Sequence, residues 1–106
     1  MKIIYNNIIP VKGFSAINLF GFVFSRKECA PLSESTINHE RIHTAQMKEL
    51  LYVFFYLFYL LEWLIKLFRY GKRSYYNISF EREAYSNEYD ASYLRKRKRY
   101  SFLKHI

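Results

Sequence analysis

A His-Glu-x-x-His motif at residues 39–43 constrains the fold more than any other feature of the chain. In an α-helix, residues four apart project from one face, so His39 and His43 can place two imidazoles on one metal ion. Glu40 lies beside them, where a carboxylate can take a proton from a water molecule at that ion. Two histidines leave a tetrahedral ion short of ligands. The fold must therefore bring a third ligand to this helix.

The length of 106 residues predicts a single domain, residues 1–106. Its 11 Tyr and 10 Phe suit a core closed by a few large side chains, or a surface that meets lipid. Cys29 is the only cysteine, so an internal disulfide is excluded. Two asparagines interrupt the first apolar run, so no signal peptide is predicted. We expect a protein of the cytoplasm, or one peripheral to the inner face of a membrane.

The formal net charge of +8 is concentrated in two segments, residues 69–73 and 95–99. Such an excess of cations favours an acidic partner, and an anionic membrane surface is one candidate. The second segment has no interleaved aromatic residue and no recognised nucleic-acid-binding module around it, so nucleic acid is not an expected partner. We interpret residues 95–106 as a solvated basic tail.

The first quarter of the chain predicts a small antiparallel sheet of two or three strands. Residues 2–28 are rich in β-branched and aromatic side chains, and Pro10 and Gly13 punctuate them. The strongest strand covers residues 17–25, where Gly21 indicates a bulge or a close approach of another chain segment. Helices are predicted after this sheet, which gives an α+β fold.

Two helices are predicted after the sheet. Ser33 is a good N-cap for the motif helix, and no Gly or Pro interrupts residues 32–70, so this helix can be long. Ser79 can cap a second helix that begins near Phe80 and runs to about residue 90. The long helix carries the motif, and the second helix is expected to deliver the third metal ligand.

An aromatic segment, residues 50–68, is long enough to span a bilayer, which takes roughly 17–25 residues. Glu62 and Lys66 count against a span, although they can pair at i, i+4. A straight span would also separate His43 from the residues beyond Gly71 by roughly 42 Å. We therefore prefer an interfacial helix, a buried helix or a helical hairpin. The rival interpretation is a non-catalytic membrane-associated protein, held by this segment and the basic tail.

The third ligand has several candidates outside the motif. These candidates are Cys29, Glu62, Glu81, Glu83, Glu88, Asp90 and His105. On the second helix Glu81, Ala84, Tyr85 and Glu88 share one face, and the small Ala84 permits a close approach to the motif helix. We choose Glu81 as the ligand and keep Glu83 in reserve. Glu88 is then a carboxylate that can orient a ligand histidine.

Residues 81–84 read Glu-Arg-Glu-Ala, which fits the pattern Glu-x-x-Ala. With the His-Glu-x-x-His motif upstream, the chain resembles the gluzincins, in particular their small single-domain members, the minigluzincins. The resemblance implies Zn²⁺ held by His39, His43 and Glu81. It also implies a zinc metallopeptidase that cleaves a peptide or protein substrate through a metal-activated water, with Glu40 as general base.

The resemblance has two further implications. The strand before the metal helix, here residues 17–24, would align an extended peptide by strand addition. Many relatives have Asp four residues after the ligand glutamate, where this chain has Tyr85. The role of orienting a histidine then passes to Glu88 or Asn38. The Tyr85 phenol is our candidate donor to the oxyanion of a tetrahedral intermediate.

Overall fold

Three short strands precede four α-helices along residues 2–106, the part of the chain that this computed structural model describes. The strands are β1 (Lys2–Asn6), β2 (Ala16–Leu19) and β3 (Phe22–Arg26). The helices are α1 (Glu34–Glu49), α2 (Val53–Tyr70), α3 (Ser79–Asn87) and α4 (Tyr93–Lys96), and a 3₁₀ turn (Ser101–His105) follows them. The predicted α+β class is confirmed.

The sheet is mixed, whereas the sequence predicted an antiparallel one. The strand order is β1-β3-β2, in which β2 pairs antiparallel with β3 and β1 pairs parallel with β3. Strand β3 lies between β1 and β2, so β1 lies beside a strand that runs in its own direction. Both β1 and β2 are therefore edges of the sheet, and β3 is its centre.

The prediction of one strand over residues 17–25 is wrong, because the chain reverses at Phe20 and Gly21. Both residues have positive φ, 54° and 91°, as a two-residue type I′ hairpin turn requires. Glycine adopts this conformation freely, whereas phenylalanine rarely does. Contact with α2 stabilises it, since the Phe20 N–H donates to the Tyr56 hydroxyl at 2.9 Å and the two rings lie 5.0 Å apart. The turn therefore depends on a residue far along the chain.

Helix α1 begins as predicted but ends earlier than the sequence suggested. The Ser33 hydroxyl accepts the Thr36 N–H at 3.2 Å, which confirms the N-cap. The helix stops at Glu49, and Leu51 and Tyr52 take positive φ values of 54° and 61°. The next helix leaves at an angle of 110°. The predicted long metal-site helix is thus two helices.

Helix α2 closes the core over α3. Phe55 is its only buried residue, and it joins a cluster with Met47, Ile78, Phe80 and Phe102. Neither α1 nor α2 is long and apolar enough by itself to cross a membrane. The bent pair Glu34–Glu49 and Val53–Arg73 does satisfy the criterion of length and composition. The bend returns the chain toward α1, as the metal-site hypothesis required.

Glu62 holds the start of α3, which corrects the prediction that Ser79 caps this helix. The N-cap position is Ile78, which has no side-chain cap. Instead the backbone N–H and the hydroxyl of Ser79 both donate to the Glu62 carboxylate, at 2.5 Å and 2.6 Å. Glu62 also makes the predicted pair with Lys66, at 3.8 Å. Its carboxylate therefore anchors α3, and among the described residues it is not part of a group that could hold a metal ion.

The C-terminal segment is only partly the solvated tail that its charge suggested, since the Arg97 side chain is buried while the other four basic residues of 95–99 are exposed. The Arg97 side chain is only 5% exposed and forms ion pairs with Glu49 at 2.9 Å and Glu83 at 2.5 Å. Phe102 is buried against Phe80, with ring centroids 4.6 Å apart. Burial and pairing thus fix the segment to α1 and α3.

Candidate metal centre

The structure brings the three predicted ligands together between α1 and α3. The Nε2 atoms of His39 and His43 lie 3.1 Å apart. Oε1 of Glu81 lies 3.1 Å from the first and 3.0 Å from the second. All three residues are buried. They form a His-His-Glu group that could hold a metal ion.

Helix α3 packs against α1. Ala84, the small residue at which a close approach was predicted, is completely buried. Asn38 on α1 donates to three backbone carbonyls, of Asn87, Glu88 and Asp90, and so fastens the end of α3. These contacts fix the distance between the motif helix and Glu81.

Gln46 determines which nitrogen of His43 carries the proton. The Gln46 amide nitrogen donates to the Phe80 carbonyl at 3.1 Å and to Oε1 of Glu83 at 3.0 Å. Its oxygen therefore faces Nδ1 of His43, at 2.8 Å, and can only accept. Neutral His43 thus has its proton on Nδ1 and a free lone pair on Nε2. Gln46 was not among the predicted site residues, although its i, i+3 spacing from His43 was a signal.

Glu88 performs the same function for His39. Its Oε1 lies 3.0 Å from Nδ1 of His39, and an ionised carboxylate can only accept a hydrogen bond. The Nε2 lone pair of His39 therefore also faces Glu81. This is the orienting contact expected of Glu88, and Asn38, the alternative, has the backbone role described above.

The group attracts positive charge. Two lone pairs and a carboxylate oxygen converge at distances of 3.0–3.1 Å. Burial opposes a charge on His43, but the Glu81 carboxylate outweighs burial and raises the pKa of His43 to about 9. Burial likewise opposes ionisation of Glu81, yet His43 and His39 hold the pKa of its carboxyl below the usual range. A metal cation would take the place of this proton, so metal binding is expected to release protons.

Tyr59 on α2 positions the far oxygen of Glu81. Its hydroxyl donates to Oε2 at 2.8 Å, while Oε1 faces the two histidines. Burial, and then the Glu81 carboxylate, raise the pKa of Tyr59, which keeps the hydroxyl protonated as a donor. Tyr59 was not among the predicted site residues. Its four-residue spacing from Phe55 and Trp63, both turned toward the core, was the available signal.

Glu40 is 9% exposed and lies on α1 beside the His-His-Glu group. Burial raises the pKa of its carboxyl and outweighs the opposite effect of His43 and His39. Its backbone oxygen accepts the Asn18 side-chain amide at 3.0 Å, which ties this turn of α1 to β2. A carboxylate with a raised pKa is suited to accept a proton near neutral pH.

Tyr85 is half-exposed and packs its ring edge-on against His39, with centroids 4.5 Å apart. Its hydroxyl donates to the Tyr75 hydroxyl at 3.4 Å. Two phenols therefore lie at the rim of the group.

The reserve ligand Glu83 does not join the group. It is fully buried and accepts hydrogen bonds from Gln46, Tyr93 and Arg97. Asp90 pairs with Lys96 at 2.9 Å. Among the described residues, the metal-compatible group contains neither His105 nor Cys29.

Comparisons with protein-family models, with curated proteins and with solved structures gave no match to this chain.

Proposed function

We propose that this chain is a gluzincin-like zinc metallopeptidase that hydrolyses peptide bonds. The observation that supports it best is the convergence of two oriented Nε2 lone pairs and one carboxylate oxygen beside Glu40. Two histidines and a glutamate are a ligand set of catalytic zinc, which leaves a fourth position open. Donors about 2.05 Å from a tetrahedral ion lie about 3.3 Å apart. The observed separations of 3.0–3.1 Å are within a few tenths of an ångström of that value.

Each protein group then has a chemical role. A bound zinc ion would supply a Lewis acid that polarises a peptide carbonyl and acidifies water. Glu40 takes a proton from the attacking water and passes it to the leaving amine, so that water adds across the C–N bond. Glu88 and Gln46 keep both imidazoles in the ligand tautomer. Tyr85 donates to the oxyanion that develops on the carbonyl oxygen.

The peptide-aligning strand needs a correction within this proposal. Residues 17–24 form a hairpin, and its second strand, β3, is paired on both sides and has no free edge. The edge strand tied to α1 is β2, whose Asn18 side chain donates to the Glu40 carbonyl and to Thr44 Oγ1. We therefore assign strand addition of the substrate to β2, residues 16–19.

Metal analysis tests the proposal directly. Wild-type protein reconstituted with zinc and dialysed should retain about one zinc ion per chain by plasma mass spectrometry. His39→Ala and Glu81→Ala should each retain less than about a tenth of that amount, because two donors do not hold the ion. His105→Ala is the matched control and should bind as wild type does. Wild-type protein that retains no zinc would contradict the proposal.

Tyr59→Phe should weaken zinc binding by roughly 10- to 100-fold, because the Glu81 carboxylate loses the donor that orients it. Competition with a chromophoric chelator measures this affinity. Tyr56→Phe is the control from the same helix, since its hydroxyl bonds to Phe20 and Asn18 and not to the metal group. Equal affinities of the two variants would exclude the orienting role of Tyr59.

A further inference from the structure

Helix α2 exposes a continuous apolar stripe, which we call its outer face. The side chains of this face are 44–93% exposed and recur every three or four residues: Phe54, Leu57, Phe58, Leu61, Ile65 and Phe68. This spacing places them on one side of the helix. Contiguous exposed apolar surface of this kind usually marks an interaction site.

The fold does not need this face, because the opposite side of α2 makes the internal contacts. Phe55 is buried in the core, and Tyr59 and Trp63 pack against the same cluster. Glu62 is the only acidic residue of α2, and its carboxylate is engaged by Ser79. The outer face is therefore apolar without any acidic group of its own.

Basic side chains lie at the C-terminal end of the same helix. Arg69, Lys72 and Arg73 are all exposed there, in a chain with a net charge of +8. An apolar helix face with adjacent cations is typical of helices that lie in a membrane interface. If a second copy of the chain docked through the same face, it would bring the same cations and no acidic residue to pair with them. Anionic lipid headgroups supply the complementary charge.

We propose that the outer face of α2 docks the protein on an anionic membrane surface, with the helix lying in the plane of the interface. The 18-residue helix would extend along the surface for roughly 27 Å. Tyr59 contacts Glu81 from the inner side of α2, so the metal group would lie on the side of the helix away from lipid. The docking rests on α2 and the basic residues that end and follow it, and it is independent of any hydrolytic activity.

Vesicle flotation with the full chain tests this proposal. Wild-type protein should float with vesicles of phosphatidylcholine containing roughly a third phosphatidylglycerol, and binding should fall at high salt. Binding to vesicles of phosphatidylcholine alone should be at least roughly tenfold weaker. Failure to bind the anionic vesicles, or equal binding to both kinds, would overturn the proposal.

Matched variants locate the surface. Phe58→Glu/Phe68→Glu should lower anionic-vesicle binding roughly tenfold or more, whereas Phe14→Glu, an exposed replacement outside α2, should not. Replacing Arg69, Lys72 and Arg73 with glutamine removes three positive charges and should lower anionic-vesicle binding to a similar extent. The control variant replaces Arg95, Lys98 and Arg99 with glutamine, and it should change anionic-vesicle binding by less than about threefold.

The charge variants keep the test valid if the glutamate variant does not fold, because all six basic residues are exposed. Equal loss of binding in both charge variants would overturn the assignment to α2. A wild-type dimer in sedimentation equilibrium that becomes monomeric in the α2 variants, without vesicle binding, would instead assign the outer face to self-association.

Discussion

Glu40→Gln should retain zinc at His39, His43 and Glu81 and should lower peptide hydrolysis by about 10²- to 10⁴-fold. Glutamine has nearly the shape of glutamate but cannot accept the proton of the attacking water. The buried position of Glu40 and the raised pKa of its carboxyl support its role as the base. Cleavage of a fluorogenic peptide library gives the rate, and metal content is measured on the same preparation.

Glu34→Gln is the matched control, because it removes an exposed carboxylate from the first turn of the same helix. It should leave the rate within about twofold, as expected for a surface substitution. Activity retained in Glu40→Gln would remove Glu40 from the mechanism. A wild-type protein that binds zinc but cleaves no peptide in the library would contradict the peptidase proposal and leave the metal site standing.

Arg97→Met should lower the free energy of unfolding by about 3–5 kcal/mol, the usual cost of breaking a buried ion pair from one side. Glu83 is fully buried and would lose its cation, and Glu49 would lose a two-pronged contact at 2.9 Å and 3.0 Å. Urea denaturation measures the change. Arg95→Met, at an exposed position two residues earlier in the chain, should cost less than about 0.5 kcal/mol.

A double variant shows whether the unpaired Glu83 carboxylate causes the loss of stability in Arg97→Met. Glu83→Gln removes the buried charge, so Arg97→Met/Glu83→Gln should be more stable than Arg97→Met alone. If Arg97→Met costs less than about 1 kcal/mol, the arginine is not the anchor of the C-terminal segment. The same network reaches the metal group, because Glu83 accepts from Gln46 and Gln46 orients His43.

Short-range spacing made the metal group predictable. His39 and His43 share a helix face at i, i+4, and Glu81 and Glu88 share another across seven residues, so helix spacing indicated which side chains could meet between the two helices. The Ser33 cap was predictable for the same reason, since its partner lies three residues away. The Ser33 cap needed only one local element, whereas the contact of Glu81 with the histidines also required α3 to pack against α1.

Features that depend on distant partners were predicted less well. Nothing local indicated that the helix stops after Glu49, where two residues without glycine's freedom take positive φ. The burial of Arg97 was also not predicted, because Arg97 lies in a run of basic residues and its partner Glu49 is 48 residues away. Sequence composition assigns such residues to solvent unless a buried partner is known.

The sequence by itself determined the candidate metal ligands, the α+β class and the helix that carries the motif, because these depend on residue type and helical spacing. The tertiary structure decided the order of the strands, the 110° bend between α1 and α2, and the contacts of Tyr59, Gln46 and Glu62. The physical reason is that buried polar groups must find partners. Which partner each one finds depends on how elements far apart in the chain pack together.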